Sequence, residues 1–171
     1  PYLCLEDGFV RSVGLGVSGS EPFGFIVDRQ GIYYNARQPS DVEALILSTT
    51  QTDARRADRL MRRLVDIQAS KNNHVWRAPE LPADERPNIL LVDQTCGDLS
   101  VEYGLADQSS FKEMVDAALQ RFPRGRFFVK THPDVIAGRR KGYLTGNLPP
   151  GITPIGQGCN PIALLQQIDY V

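Results

Sequence analysis

The stretch Asn88–Asp93, NILLVD, constrains the fold more than any other part of the chain. Ile89 to Val92 are four apolar residues in succession, with neither the two-residue alternation of a half-solvated strand nor the length of a core helix. Pro87 before the run and a polar loop after it hold it to strand length. A strand without a polar face must be covered on both sides, as in a parallel sheet flanked by helices.

The residues that follow extend this reading. A capping box from Ser110 to Glu113 predicts a helix that buries Phe111, Met114, Val115, Ala118, Leu119 and Phe122. The strand RFFVK comes next, then a basic loop, GRRKGY, and a segment rich in glycine and proline. Asn160 as cap and Pro161 at the first helical position start the helix PIALLQQI, after which DYV begins another strand. The order strand, helix, strand, helix, strand from Asn88 onward predicts βαβ crossovers and an α/β lobe with a parallel sheet.

Ahead of it, PYLCLEDG reads as a strand running into the glycine-rich loop of Gly8, Gly14, Gly16 and Gly19. Phe23–Val27 and Ile32–Tyr34 read as a β-hairpin, and a capping box at Ser40 and Glu43 predicts a helix from Asp41 to Ser48. From Asp53 to Ala69, apolar residues recur at helical spacing while Arg55, Arg56, Arg59, Arg62 and Arg63 take the remaining surface. Those arginines, interleaved with Asp58 and Asp66, form a solvated face or one that meets a membrane surface or an anionic substrate. Residues 71–87, polar and broken by Pro79, Pro82 and Pro87, read as the crossing between an amino-terminal lobe, 1–70, and the α/β lobe, 88–171.

Composition narrows the function. A net charge of -1 from 19 basic and 20 acidic residues lacks the basic excess of a general nucleic-acid binder, so any anion must be gripped locally. Cys4, Cys96 and Cys159 are odd in number and far apart, which supports neither a disulfide framework nor a zinc site and points to a reducing cytoplasm. No apolar run reaches the ~18–20 residues that span a bilayer. The chain begins without methionine on a strand and stops as another begins, as an incomplete fragment of a longer protein would.

Ligands of such a lobe bind at the carboxyl ends of its strands. Three stretches lie at strand ends: EDGFVRS, DQTCGD and KTHPD. In the last, Lys130 and His132 are two apart at a strand exit, so an extended backbone aims both at one patch, while Pro133 restricts the histidine backbone. A cation beside an imidazole suits a phosphate or a nucleotide, with Asp134 placed to orient the ring or meet a sugar hydroxyl. The bland alternative is a capped loop with a solvated lysine. In DQTCGD, Asp93 and Asp98 bracket Gln94 and Gly97; such carboxylates serve as nucleophile, general base or metal ligand, or simply bond their own turn. Glu6 and Asp7, ahead of Gly8, Arg11 and Ser12, carry the same ambiguity. There is no metal-ligand spacing, no P-loop and no complete Gly-x-Gly-x-x-Gly fingerprint.

Read in order, LEDGFVRSVGLG, GIYYNARQPSDVEAL, LLVDQTCGDLSVEYG and VKTHPDVIAGRRKGY resemble the retaining β-Kdo transferases of capsular polysaccharide biosynthesis and export, over almost the whole chain. The resemblance implies a GT-B-like glycosyltransferase of two Rossmann-type lobes, with CMP-Kdo as donor substrate and no cofactor or metal. It implies a lyso-phosphatidylglycerol-based acceptor, contact with the capsule export machinery, and a cytoplasmic protein peripheral to the inner membrane. His132 and Pro133 match the motif associated with the CMP moiety, with Lys130 and Asp134 beside it. Asp98 matches the family carboxylate and is the expected nucleophile, Gln94 its loop partner, and Glu6, Asp7, Gly8 and Arg11 the expected sugar or acceptor cleft. The sequence departs from the family at Cys96-Gly97, where a bulkier aromatic-Asn pair is expected. Two alternatives are a non-catalytic export or scaffold component and a GT-B enzyme with a UDP-sugar donor.

Overall fold

A computed structural model describes residues 2–9, 19–70, 75–146, 148–156 and 158–171. The chain divides into two compact units, one of Pro1–Trp76 with Asn160–Ile162, the other of Arg77–Cys159 with Ala163–Val171.

In the first unit, β1 (Cys4–Asp7) pairs antiparallel with β2 (Phe25–Asp28), Cys4 opposite Asp28 and Asp7 opposite Phe25. The predicted hairpin between Phe23–Val27 and Ile32–Tyr34 does not form, because Asp28 ends the second strand by turning the chain. Its buried carboxylate accepts the N–H groups of Gln30, Gly31 and Asp41 at 2.9 Å each, which folds residues 29–35 into turns. Burial acts to raise the pKa of Asp28, but those backbone donors outweigh it and hold the carboxyl below its ordinary value. The helix α1 (Asp41–Ser48) starts where predicted, its Ser40 hydroxyl accepting from Glu43 N–H at 3.0 Å. The helix α2 (Ala54–Asp66) is capped by Asp53. At about 100° per residue, its five arginines share one arc and Ala57, Leu60, Met61, Leu64 and Val65 the opposite one. No residue of α2 is buried.

The second unit contains the parallel sheet. Strands β3 (Asn88–Val92), β4 (Arg126–Lys130) and β5 (Ile152–Ile155) lie in that order. Leu90 stands opposite Phe128, and Phe128 opposite Thr153. Tyr170 forms a parallel bridge with Ile89 and accepts Leu90 N–H at 2.8 Å, so the carboxyl-terminal segment adds to the other side of β3. The chain steps outward through β4 and β5 and then crosses back past β3. The strand β5 is absent from the sequence reading, because Pro154 and the flanking glycines mask an edge strand.

Both faces of this sheet are covered, as the apolar run of β3 requires. Ile89, Leu91, Phe127, Val129 and Ile152 pack against Val101 of α3 (Leu99–Tyr103) and Phe111 and Val115 of α4 (Gln108–Arg121). Leu90, Phe128 and Ile155 pack against Leu164 of α6 (Pro161–Leu165) on the other face. Several predicted boundaries move, and the helix read as PIALLQQI ends at Leu165. The stretch after β3, read as loop, contains α3. The helix α4 starts earlier, because Asp107 rather than Ser110 is its cap: Asp107 Oδ1 accepts Ser109 and Ser110 N–H at 2.8 and 3.1 Å, and Ser110 Oγ bonds back to Asp107 N–H. Residues Arg77–Pro87 run along this unit, with Leu81 N–H bonded to Gln167 and Arg126 donating to the carbonyls of Pro82 and Arg86.

Candidate active site

The loop that leaves β3 carries Asp98. Its backbone turns at Gly97, whose φ of +79° lies in the left-handed region that favours glycine. Asp98 then caps α3: Oδ1 accepts Ser100 N–H at 2.9 Å and the Ser100 hydroxyl at 2.8 Å. Among the described residues Oδ2 has no hydrogen-bond partner. A carboxylate held at one oxygen and open at the other, half-exposed at a strand's carboxyl end, is arranged as a nucleophile or general base would be. Asp93, the other carboxylate of the loop, is 3% exposed. It accepts the N–H groups of Gln94 and Leu144 and the Thr145 hydroxyl, at 2.9, 3.0 and 3.3 Å. Gln94 is half-buried and its carbonyl accepts Tyr143 N–H at 3.2 Å.

The loop that leaves β4 carries Lys130, His132, Pro133 and Asp134. His132 caps the short helix α5 (Pro133–Ile136), its Nδ1 accepting Asp134 N–H at 3.1 Å. That bond requires the Nδ1 lone pair, so the neutral ring carries its proton on Nε2. The Asp134 carboxylate also lies 3.8 Å from Nδ1, an ion-pair distance, but the shorter backbone bond defines the arrangement. Asp134 therefore holds the ring through its main chain. Its carboxylate accepts Arg139 Nε at 2.9 Å and a terminal guanidinium nitrogen at 2.5 Å. The Arg139 bonds come first among the causes that keep this carboxyl below its ordinary pKa. Lys130 is half-buried; burial pushes its pKa down, and the neighbouring Cys159 acts against that shift without cancelling it. The Cys159 thiol is pushed up by its own burial.

In the first unit, Glu6, Asp7 and Gly8 lie at the end of β1. Glu6 accepts Asp7 N–H at 3.1 Å, and Gly8 N–H bonds Gly24 O at 2.8 Å. Arg11 and Ser12 lie outside the described residues. Two contributors were missed. Arg139 belongs to the basic loop, and its five-residue spacing from Asp134 falls outside the i, i+4 pairing that would mark it in a sequence. Asp28 gave no signal, since burial of a single aspartate has no local pattern.

The clefts only partly coincide with these residues. One of about 730 Å³ lies between the amino-terminal half of α4 and Tyr143, Leu144 and Pro149, lined also by Asp107, Lys112 and Asp116, and includes none of the predicted site residues. Another of about 520 Å³ runs between Arg77–Pro82 and β5 and ends at Cys159, beside Lys130. Among the described residues, no cluster of three or more His, Cys, Asp or Glu side chains is placed to hold a metal ion.

The second unit, with helices on both faces of a parallel sheet that turns back at β3, belongs to the class of α/β folds that take ligands outside the strand carboxyl ends where strand order reverses. Sequence comparison places it more narrowly: the capsule polysaccharide biosynthesis protein family matches residues 1–81 and 60–171, and the chain belongs to that family. It is 42% identical, along its whole length, to the capsule polysaccharide modification protein LipA of Neisseria meningitidis serogroup A, and 40% identical to that of serogroup B. The chain spans 25% of the length of each. Among solved structures it is similar to Thermosulfurimonas dismutans KpsC, beta Kdo 2,4 transferase, with a TM-score of 0.88 and 42% identity over 100% of this chain and 56% of that one.

Proposed function

We propose that the chain carries the nucleophile and nucleotide contacts of a retaining β-Kdo transferase. This enzyme uses CMP-Kdo to build a poly-Kdo linker on a lysophospholipid for capsular polysaccharide biosynthesis and export. The observation that carries this reading is the placement of the Asp98 loop at the exit of β3, the strand at which the strand order reverses, with Lys130 and His132 at the exit of the adjacent β4. The 42% identity to a solved β-Kdo transferase supports the choice of sugar.

In this mechanism Ser100 fixes the Asp98 carboxylate through Oδ1, and Oδ2 attacks the anomeric carbon of Kdo. The bond from that carbon to the phosphate oxygen breaks, and CMP leaves with the electron pair. Lys130 offsets charge on the departing phosphate, while the α5-capping geometry of His132 holds the imidazole for the nucleotide. An acceptor hydroxyl, losing its proton to solvent, then attacks the anomeric carbon of the Kdo–Asp98 adduct; the bond from that carbon to Oδ2 breaks, the Asp98 carboxylate is regenerated, and two inversions give retention. Glu6, Asp7, Gly8 and Arg11 are assigned to the sugar or acceptor.

A lipid acceptor would put the enzyme at the cytoplasmic face of the inner membrane. No helix among the described residues is long and apolar enough to cross a membrane, and the arginine arc of α2 suits an anionic surface. Retention of the purified protein in the supernatant with anionic vesicles would argue against this placement.

The decisive experiment is Asp98→Ala in the full-length protein, assayed for Kdo transfer and for CMP binding. Loss of transfer with CMP binding retained is expected; undiminished turnover removes Asp98 from the mechanism. CMP and UDP are compared by thermal shift, since a ligand stabilises only the form it binds. Stabilisation by UDP alone would favour a UDP-sugar donor, and no response to either nucleotide together with no CMP-Kdo consumption would favour an export or scaffold component.

A further inference from the structure

The loop bearing Asp98 is not held by its own turn alone. Residues 141–143 lie antiparallel against Gln94–Cys96: Cys96 N–H bonds Lys141 O at 2.8 Å, Tyr143 N–H bonds Gln94 O at 3.2 Å, and Thr95 bridges Gly142. Beneath this pairing sits the Asp93 carboxylate. Oδ1 takes Gln94 N–H from one segment and Leu144 N–H from the other, and Oδ2 takes the Thr145 hydroxyl. The Asp93 N–H bonds Lys130 O at 3.0 Å, which ties the same residue to the end of β4. Gly142 is required by this packing, because a Cβ there would overlap Asp93 Oδ2 and crowd Thr145 Oγ1.

We propose that Asp93, Gly142 and Thr145 form a latch that sets the position of the Asp98 loop, making Asp93 a positioning residue for Kdo transfer. This inference rests on the reading of Asp98 as nucleophile. It acts through hydrogen bonds and shape, not through the charge of Asp93. An asparagine can accept both N–H groups with its amide oxygen and donate its NH₂ to the Thr145 hydroxyl, which accepts as readily as it donates. Alanine removes all three bonds and leaves two backbone donors unpaired beneath the loop. Misplacing a reacting group by about 1 Å costs roughly 100-fold in rate.

The test uses the full-length protein with five variants: Asp98→Ala, Asp93→Asn, Asp93→Ala, Gly142→Ala and the double Asp93→Ala/Gly142→Ala. Kcat with CMP-Kdo, the dissociation constant for CMP and Tm are measured for each. Asp93→Asn should keep kcat within about 3-fold, whereas Asp93→Ala and Gly142→Ala should each lower it by about 100-fold with CMP affinity within about 2-fold. The double variant should be no slower than either single one, since removing the carboxylate makes room for the new Cβ. Should Asp93→Ala fail to fold, Thr145→Val removes a single bond of the latch and is expected to lower kcat several-fold, again at unchanged CMP affinity.

If Asp98→Ala abolishes transfer while the latch variants keep wild-type kcat, the latch is wrong and the nucleophile assignment stands. Loss of CMP affinity in parallel with kcat and Tm would reduce the latch to general stability and overturn the proposal. If Asp93→Asn is inactive while Asp98→Ala turns over, Asp93 itself carries the chemistry and both readings fall.

Discussion

Replacing Lys130 with methionine should separate nucleotide binding from stability. Lys130 ends β4 opposite Val92 and Ile155, on the sheet face that buries Leu90, Phe128 and Ile155. Burial pushes its pKa below the ordinary 10.5. Below the depressed value, the folded and unfolded chains both hold the proton, and the folded chain bears the cost of a half-buried cation. As pH rises from there towards 10.5, the folded lysine is neutral while the unfolded one still binds a proton, so stability climbs. Methionine keeps the length of the stem without the charge. Lys130→Met should therefore raise the stability of the free protein at neutral pH, by on the order of 1 kcal/mol, and flatten the alkaline rise.

The effect on CMP has the opposite sign. A hydrogen bond from an ammonium to a phosphate contributes about 1.5–3 kcal/mol net, so its loss should weaken CMP binding by roughly 10- to 150-fold. Because phosphate favours the charged lysine, binding takes up a proton above the depressed pKa, and wild-type affinity should decline as pH rises through it. Thermal unfolding of both proteins across a CMP titration, at neutral and at alkaline pH, reads every term. A variant that binds CMP as wild type does, or that is less stable without it, refutes the phosphate role and makes Lys130 a structural residue.

Leu164→Ala should cost about 3 kcal/mol, since Leu164 is 1% exposed and fills the space between α6 and Leu90, Phe128 and Ile155; denaturant unfolding should show a lower midpoint at an unchanged slope. Asp107→Ala should fray the start of α4 and change the acid limb of stability. The Ser109 hydroxyl bond, then the backbone N–H groups of Ser110 and Ser109, hold the Asp107 carboxyl below 3.8, so its contribution is complete above that value and fades as pH falls through the depressed pKa. Unfolding series at pH 7 and in the acid range should show the wild-type advantage shrinking; a constant difference would rule out the charged cap.

The parts of the fold that follow from local chemistry were legible. The uninterrupted run Ile89–Val92 required cover on both faces, and helices pack on both. Ser40 and Asn160 marked helix starts because a side chain that accepts a backbone N–H leaves its type and spacing in the sequence. The hairpin failed at Asp28 because its partner donor, Asp41, lies 13 residues on. Ser110 misled in the same way: it belongs to a capping box, but as the responding residue, with Asp107 three positions earlier as the cap.

At the candidate site the alternatives posed by the sequence turned out not to exclude one another. His132 is a cap, and the capping bond at Nδ1 also fixes the imidazole and its tautomer, as a ligand contact would require. Asp93 and Asp98 do bond their own turns, but burial divides them. Asp93 spends both oxygens on the loop, while Asp98 spends one and keeps the other in a half-exposed position. The residues themselves, two carboxylates five apart, do not rank them; only the family resemblance singles out Asp98, because the structural difference is made by Leu144 and Thr145, about fifty residues downstream. Those residues reach Asp93 only because the chain, after β4, returns across the end of β3 before it forms β5. The strand order thus does two things at once: it puts the β3 exit where the sheet reverses, and it supplies from a distant segment the donors that make one aspartate structural and leave the other available for chemistry.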